Sequence, residues 1–109
     1  MNNPDAFYEE MGKRIAQRRK ELGLSQEGLA EQAGISPQTM STAERGTKAL
    51  RPENLLKISK ALNVSTNFLL TGEMNDCDLG ELADKIKLLT PKEIRAIEKV
   101  IDEFIELNG

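Results

Sequence analysis

Three polar residues near the middle of the chain have side chains suited to hydrogen bonding with the edges of nucleic-acid bases. The amide of Gln38 can make two hydrogen bonds to the adenine edge that the major groove of DNA exposes. Thr42 follows one helical turn later on the same face, and Ser41 beside it could contact a base or a thymine methyl group. The same residues could also form an ordinary solvated helix face, so the elements that position them matter.

A short helix is predicted to begin near Gln26, ahead of these residues. Ser25 can cap its first turn by accepting a hydrogen bond from an unpaired backbone amide. Gly34 is predicted to end the helix, because glycine adopts the left-handed conformation without steric cost. Apolar residues recur at one-turn spacing and give the helix an inward face, which consists of Leu29, Ala30 and Ala33.

A second helix is predicted over residues 37–45. Ser36 supplies its N-cap, and Pro37 stands at the first helical position, where its missing amide hydrogen is harmless. Gly46 is predicted to end it, and Ile35 to fill the angle between the two helices. The inward positions are Met40 and Ala43, so the three polar residues lie on the other faces. Two helices joined in this way form a helix-turn-helix.

Many residues in and around this motif occur in the same register in a known family. They are Ile15, Arg19, residues 22–26, 29–30 and 34–36, Met40, and residues 43–46, 55–63 and 64–70. On these positions the chain closely resembles the Cro and phage-repressor, or lambda-repressor-like, helix-turn-helix family over residues 9 to 72. The resemblance implies an all-α, five-helix domain that binds double-stranded DNA.

The resemblance also implies roles for individual residues. Gln26 matches a position that holds a DNA backbone phosphate and braces the residues that read bases. Arg19 and Glu44 match an ion pair that ties the first helix to the third. Pro37 departs from the family pattern, which often has a hydrogen-bond donor there, so it can offer only apolar contact. Glu53 departs from relatives that carry a basic residue at its position, and its carboxylate would repel a phosphate.

Cationic side chains after the second helix of the motif are candidates for binding DNA phosphates. Arg45, Lys48 and Arg51 surround the connection that follows this helix, and Arg14 and Arg18 are weaker candidates. For each of them, plain solvation is the alternative.

The charge of the chain is unevenly distributed. The formal net charge is −3, but residues 11 to 51 contain eight basic and four acidic residues, whereas residues 73 to 109 contain ten acidic and five basic ones. A basic surface on an otherwise acidic molecule suits phosphate binding and would limit nonspecific association.

The composition argues against several other classes of protein. A chain of 109 residues fits one small domain with an appendage, and it contains no apolar run long enough for a membrane span. Its N-terminus lacks the pattern of a signal peptide, so we expect a cytoplasmic protein. Histidine is absent and Cys77 is the single cysteine, interpreted as a bystander thiol. We therefore expect no metal, no cofactor and no enzymatic activity.

Three more helices are predicted within residues 4–72. The first runs from Pro4, capped by Asn3, to Leu22. The fourth starts near Pro52, and the fifth is a short helix capped by Ser65. The expected inward side chains are Phe7, Met11, Ile15, Leu22, Leu55, Leu56, Ile58, Ala61, Leu62, Val64, Phe68 and Leu69.

Residues 78–109 are predicted to form a hairpin of two amphipathic helices. Thr90, Pro91 and Glu93 form a capping-box pattern that separates the two helices. The apolar stripes consist of Leu79, Leu82, Ile86 and Leu89, and of Ile94, Ile97, Val100, Ile101, Phe104 and Ile105. About 32 residues cannot enclose a core alone, so the stripes need a cover. A second copy of the chain is favoured, and packing within one chain is the alternative.

The function favoured by these features is transcriptional regulation, most simply repression, by a homodimer bound to a two-fold symmetric operator. A phage repressor, a controller of a restriction-modification operon and an antitoxin all fit. The alternative from another class is a protein-interaction module that binds a partner through residues 78–109.

Overall fold

The computed structural model describes residues 4–109, with the side chains of Pro4, Asp5 and Cys77 excepted. The described residues form seven helices and no strand, which confirms the predicted all-α fold. The helices are α1 (Pro4–Glu21), α2 (Gln26–Ala33), α3 (Pro37–Arg45), α4 (Pro52–Leu62), α5 (Thr66–Thr71), α6 (Asp76–Ile86) and α7 (Pro91–Asn108). The predicted cap at Asn3 and the interpretation of the Cys77 thiol lie outside the described residues. No described helix has the length and apolar character that a membrane crossing requires.

Helices α2 and α3 have the predicted ends. The Ser25 hydroxyl accepts a hydrogen bond of 2.9 Å from the Gly28 amide, and the Ser36 hydroxyl accepts one of 3.0 Å from the Thr39 amide. Gly34 and Gly46 follow the two helices with φ angles of 72° and 67°, the left-handed conformation that favours glycine. Local sequence therefore defines where the two helices of the motif begin and end.

The chain divides into two compact units, one that ends at Asp78 and one that spans Leu79–Gly109. The core of the first unit is built from apolar side chains of α1 to α5. Its fully buried large residues are Ile15, Leu29, Met40, Ile58, Leu62 and Leu69. Because these residues come from all five helices, the core fixes the position of α3.

Two residues that were predicted to face inward, one in α1 and one directly after it, are exposed. Phe7 is 47% exposed and Leu22 is 41% exposed, so these predictions were wrong. Tyr8 and Leu24 pack against the core instead. Adjacent helical residues point about 100° apart, so an error of one or two positions in the phase of the stripe exchanges the inward residue.

A similar error affects α4. Leu56, predicted to be buried, is 47% exposed, whereas Ser59 is 97% buried. The Ser59 hydroxyl donates a hydrogen bond of 2.8 Å to the Leu56 carbonyl oxygen, which satisfies the buried polar group. The other inward predictions in this helix hold for Ile58 and Leu62, which are fully buried.

Two glycines let α1 lie directly against the C-terminal end of α3. A Cβ atom on Gly12 would overlap the Glu44 carbonyl oxygen and lie 2.6 Å from that of Ala43. A Cβ atom on Gly46 would lie 2.5 Å from the Cα atom of Glu9. Any larger residue at either position would therefore push α3 away from α1.

Asp78 binds the start of α5 at the end of the first unit. Its carboxylate accepts hydrogen bonds from the Ser65 amide (2.6 Å), the Ser65 hydroxyl (2.7 Å) and the Asn75 amide (2.9 Å). Partial burial opposes ionisation of this carboxylate, but the hydrogen bonds from Asn75 and Ser65 outweigh that effect and lower its pKa.

In the second unit, the predicted capping box is present at the start of α7. The Thr90 hydroxyl accepts a hydrogen bond of 3.2 Å from the Glu93 amide, and the Thr90 amide donates one of 2.9 Å to the Glu93 carboxylate. No residue of α7 is buried. Its apolar stripe is open, with Val100 50% and Phe104 62% exposed.

Candidate nucleic-acid interface

Helix α3 presents its first turn to solvent. Pro37 and Gln38 are exposed, and Thr42 is half-buried. Neither the Gln38 amide nor the Thr42 hydroxyl has a hydrogen-bond partner among the described residues. An exposed amide without an internal partner can make both of its hydrogen bonds to an outside molecule.

Ser41, also predicted to contact a base, is half-buried and bonded to Arg45. Its hydroxyl accepts a hydrogen bond of 3.0 Å from the Arg45 guanidinium group, one helical turn further on. This bond holds the cation of Arg45 along the surface of α3. The hydroxyl of Ser41 keeps its own proton for another acceptor.

Gln26 lies at the start of α2, where its side chain is bound to Glu44. The amide nitrogen donates a hydrogen bond of 3.0 Å to the Glu44 carboxylate. The same carboxylate forms the predicted ion pair with Arg19, at 2.7 Å, and the two side chains are only 6% and 13% exposed. The ion pair is thus confirmed. The sequence did not indicate that it also orients Gln26.

A groove of about 280 Å³ runs beside α3. Gln38 and Thr42 line it from α3, and Lys48 and Arg51 line it from the connection between α3 and α4. The two cationic residues are exposed. The groove therefore places hydrogen-bonding groups next to positive charge, which suits a polyanion.

Arg14 and Arg18, the weaker phosphate candidates, are bonded within the first unit. Arg14 donates a hydrogen bond of 2.9 Å to the Leu69 carbonyl oxygen, and Arg18 donates one of 3.0 Å to that of Leu62. These carbonyl groups lie near the ends of α5 and α4, where helices leave acceptors unpaired. The two arginines therefore stabilise helix ends, and neither of them lines the groove beside α3.

Two neighbouring residues in the first turn of α4 face different ways. Glu53, predicted to repel a phosphate, does not line the groove, whereas Asn54 does. Asn54 was missed in the sequence because nothing in its neighbourhood indicates which residue of α4 faces α3.

Comparison with known proteins places these features in a family. A family model described as helix-turn-helix matches residues 15–69. The repressor protein C2 of Salmonella phage P22 is 39% identical over 69 residues, which cover 63% of this chain and 32% of that protein. The transcriptional regulator y4wC of Sinorhizobium fredii is 31% identical over 105 residues, which cover 95% of this chain and 72% of that protein.

Similar solved structures include a crystal structure of the P22 c2 repressor in complex with a synthetic operator. It has a TM-score of 0.56 and 43% sequence identity, and the match covers 58% of this chain and 96% of that one. The chain thus spans about a third of the length of the C2 repressor and most of the length of y4wC. The relatives are regulators rather than enzymes, as expected. The chain belongs to the helix-turn-helix family of transcriptional regulators.

Proposed function

We propose that this chain binds a specific sequence in double-stranded DNA by placing α3 in the major groove, and that it represses transcription by covering a promoter. The observation that carries the proposal is the free amide of Gln38 at the exposed start of α3, next to a groove with two cationic residues. The 43% identity to a repressor solved with an operator supports it.

The proposed contacts divide into those that read bases and those that bind phosphates. Gln38 reads an adenine edge, with Thr42 and Ser41 contacting neighbouring bases and Pro37 adding an apolar contact. Phosphate binding falls to the polar and cationic residues around the motif, namely Gln26, Arg45, Lys48 and Arg51. Charged phosphate contacts of this kind add affinity that decreases as salt concentration rises.

We further propose that residues 4–72 bind DNA and that residues 78–109 hold two copies of the chain together. The second unit has 31 residues and no buried side chain in α7, so its apolar stripe needs a cover. A symmetric dimer would cover the stripe and present two copies of α3 to a two-fold symmetric operator. Such a regulator would act in the cytoplasm.

Selection of binding sites from random double-stranded DNA, with the full chain, tests the proposal. We expect a two-fold symmetric consensus whose half-sites are one duplex turn apart, about 34–36 Å from centre to centre. An enriched pool without symmetry would contradict the dimer. A pool with no enrichment at low salt would contradict DNA binding itself and would favour a protein-interaction module that binds its partner through residues 78–109.

A further inference from the structure

The groove beside α3 receives a residue from α4 as well as from α3 and the connection between them. Asn54, in the first turn of α4, shares this groove with Gln38, Thr42, Lys48 and Arg51. Three parts of the chain therefore line the groove, and the residue contributed by α4 carries a neutral amide rather than a charge.

The side chain of Asn54 is available to an outside molecule. It is half-buried, so part of its rotational freedom is already lost before binding. It makes no hydrogen bond to any other described residue, although the backbone amide of Asn54 donates one of 3.0 Å to the Arg51 carbonyl oxygen. Its two amide hydrogens are therefore free to donate into the groove.

The neighbouring acid does not prevent an anion from binding here. Consecutive residues on a helix point about 100° apart, and Glu53 is exposed outside the groove while Asn54 lines it. An anion in the groove would lie next to the amide of Asn54 and the positive charges of Lys48 and Arg51. The geometry accounts for an acidic residue beside a surface that has to bind phosphates.

We propose that Asn54 is a positioning residue for DNA binding, which donates a hydrogen bond to a phosphate oxygen of the strand that lies in this groove. The inference rests on the proposed function and deepens it. A neutral donor releases no counterion, so Asn54 contributes affinity without changing the salt dependence. A contact to the backbone fixes the register of α3 but carries no base preference of its own.

The test compares Asn54→Ala with Glu53→Ala in the full chain, by fluorescence anisotropy titration of a labelled operator obtained by selection. We expect Asn54→Ala to weaken binding about tenfold. The loss should be equal on operators that carry single base-pair changes, and the slope of affinity against salt should be unchanged. Glu53→Ala should bind at least as tightly as the parent chain.

Affinity equal to that of the parent would overturn the inference, and so would a loss confined to one base pair, which would indicate base reading. Asn54→Asp guards against a folding defect, because an acidic residue in the first turn of a helix favours the helix. This variant should melt no lower than the parent and bind DNA more weakly than Asn54→Ala. If the parent chain itself bound no DNA, the proposed function would fail rather than this inference alone.

Discussion

The side-chain amide of Gln26 donates a 3.0 Å hydrogen bond to Glu44, the carboxylate that also forms the ion pair with Arg19. One nearly buried carboxylate thereby joins α1, α2 and α3. The carboxylate that ties α3 to α1 therefore also holds Gln26, the residue proposed to bind a phosphate at the start of α2. Folding and DNA binding should therefore respond together to a change at Glu44.

Replacing Glu44 with alanine should lower the free energy of unfolding by about 3–5 kcal/mol, because it leaves the largely buried guanidinium of Arg19 without its carboxylate partner. Urea denaturation followed by circular dichroism measures the loss. Glu21→Ala is the matched control, since the Glu21 side chain is 51% exposed in its ion pair with Arg18. It should cost less than about 1 kcal/mol. Equal effects in the two variants would contradict the structural role of Glu44.

Replacing Gln38 with alanine and replacing Arg45 with alanine should change DNA binding in different ways. Gln38→Ala should lose about 1–3 kcal/mol of discrimination at one base pair of the operator. Arg45→Ala should weaken binding to all sequences. It should also reduce the slope of log affinity against log salt concentration by about one. Titrations of single-substituted operators at several salt concentrations separate the two effects. Gln17→Ala, on the exposed face of α1, is the control for Gln38. An unchanged base preference in Gln38→Ala would refute its assignment.

The contact between α1 and α3 should not tolerate a methyl group. In Gly12→Ala the new Cβ atom would meet backbone oxygens of Glu44 and Ala43, which cannot move without shifting α3. We expect a loss of about 1–3 kcal/mol or more in the free energy of unfolding. Gly80→Ala, within α6, meets nothing within 4 Å and should stabilise its helix by about 0.5–1 kcal/mol. Thermal melts of both variants test the difference, and a Gly12→Ala variant as stable as the parent would contradict the packing.

The carboxylate of Asp78 should make stability depend on pH in the acid range. Its pKa is lowered in the folded protein, so its contribution is full above the ordinary value of 3.8 and is lost as the pH falls through the folded value. At pH 7, Asp78→Asn should therefore be less stable than the parent, by an amount on the order of 1 kcal/mol.

Urea denaturation of the parent and of Asp78→Asn from pH 7 to pH 2 measures that difference, which should shrink as the pH falls. Asp76→Asn, an exposed change in the same helical turn, is the control for the loss of a charge. A difference that stays constant with pH would exclude the hydrogen-bonded carboxylate as its source.

Phe104→Asp should separate the two copies of the proposed dimer. A Phe104 side chain from each copy would lose its apolar contact, which predicts dimerisation weakened about a hundredfold or more. Sedimentation equilibrium measures the association. Lys99→Gln changes the charge of α7 by the same amount on the opposite face of the helix, about 140° around from Phe104, and should leave the dimer intact. A monomeric parent chain at micromolar concentration would refute the proposed role of residues 78–109.

Much of the fold could be predicted because its signals are local. The serine caps of α2 and α3, the glycines that end them and the capping box of Thr90 act within four residues along the chain. Local signals do not determine which face of a longer helix turns toward the core, as the exposed Leu56 and the buried Ser59 illustrate. A helix with apolar residues on adjacent positions does not specify which of them turns inward.

The sequence by itself determined where the helix-turn-helix begins and ends and which polar residues stand at the start of α3, since caps and periodicity are properties of neighbouring residues. Only the tertiary structure decided that Arg14 and Arg18 bind helix ends, that Glu44 holds Gln26, and that Asn54 rather than Glu53 lines the groove. These relationships join residues from different helices, or depend on the rotation of one helix against another. Both are set by how the whole core packs.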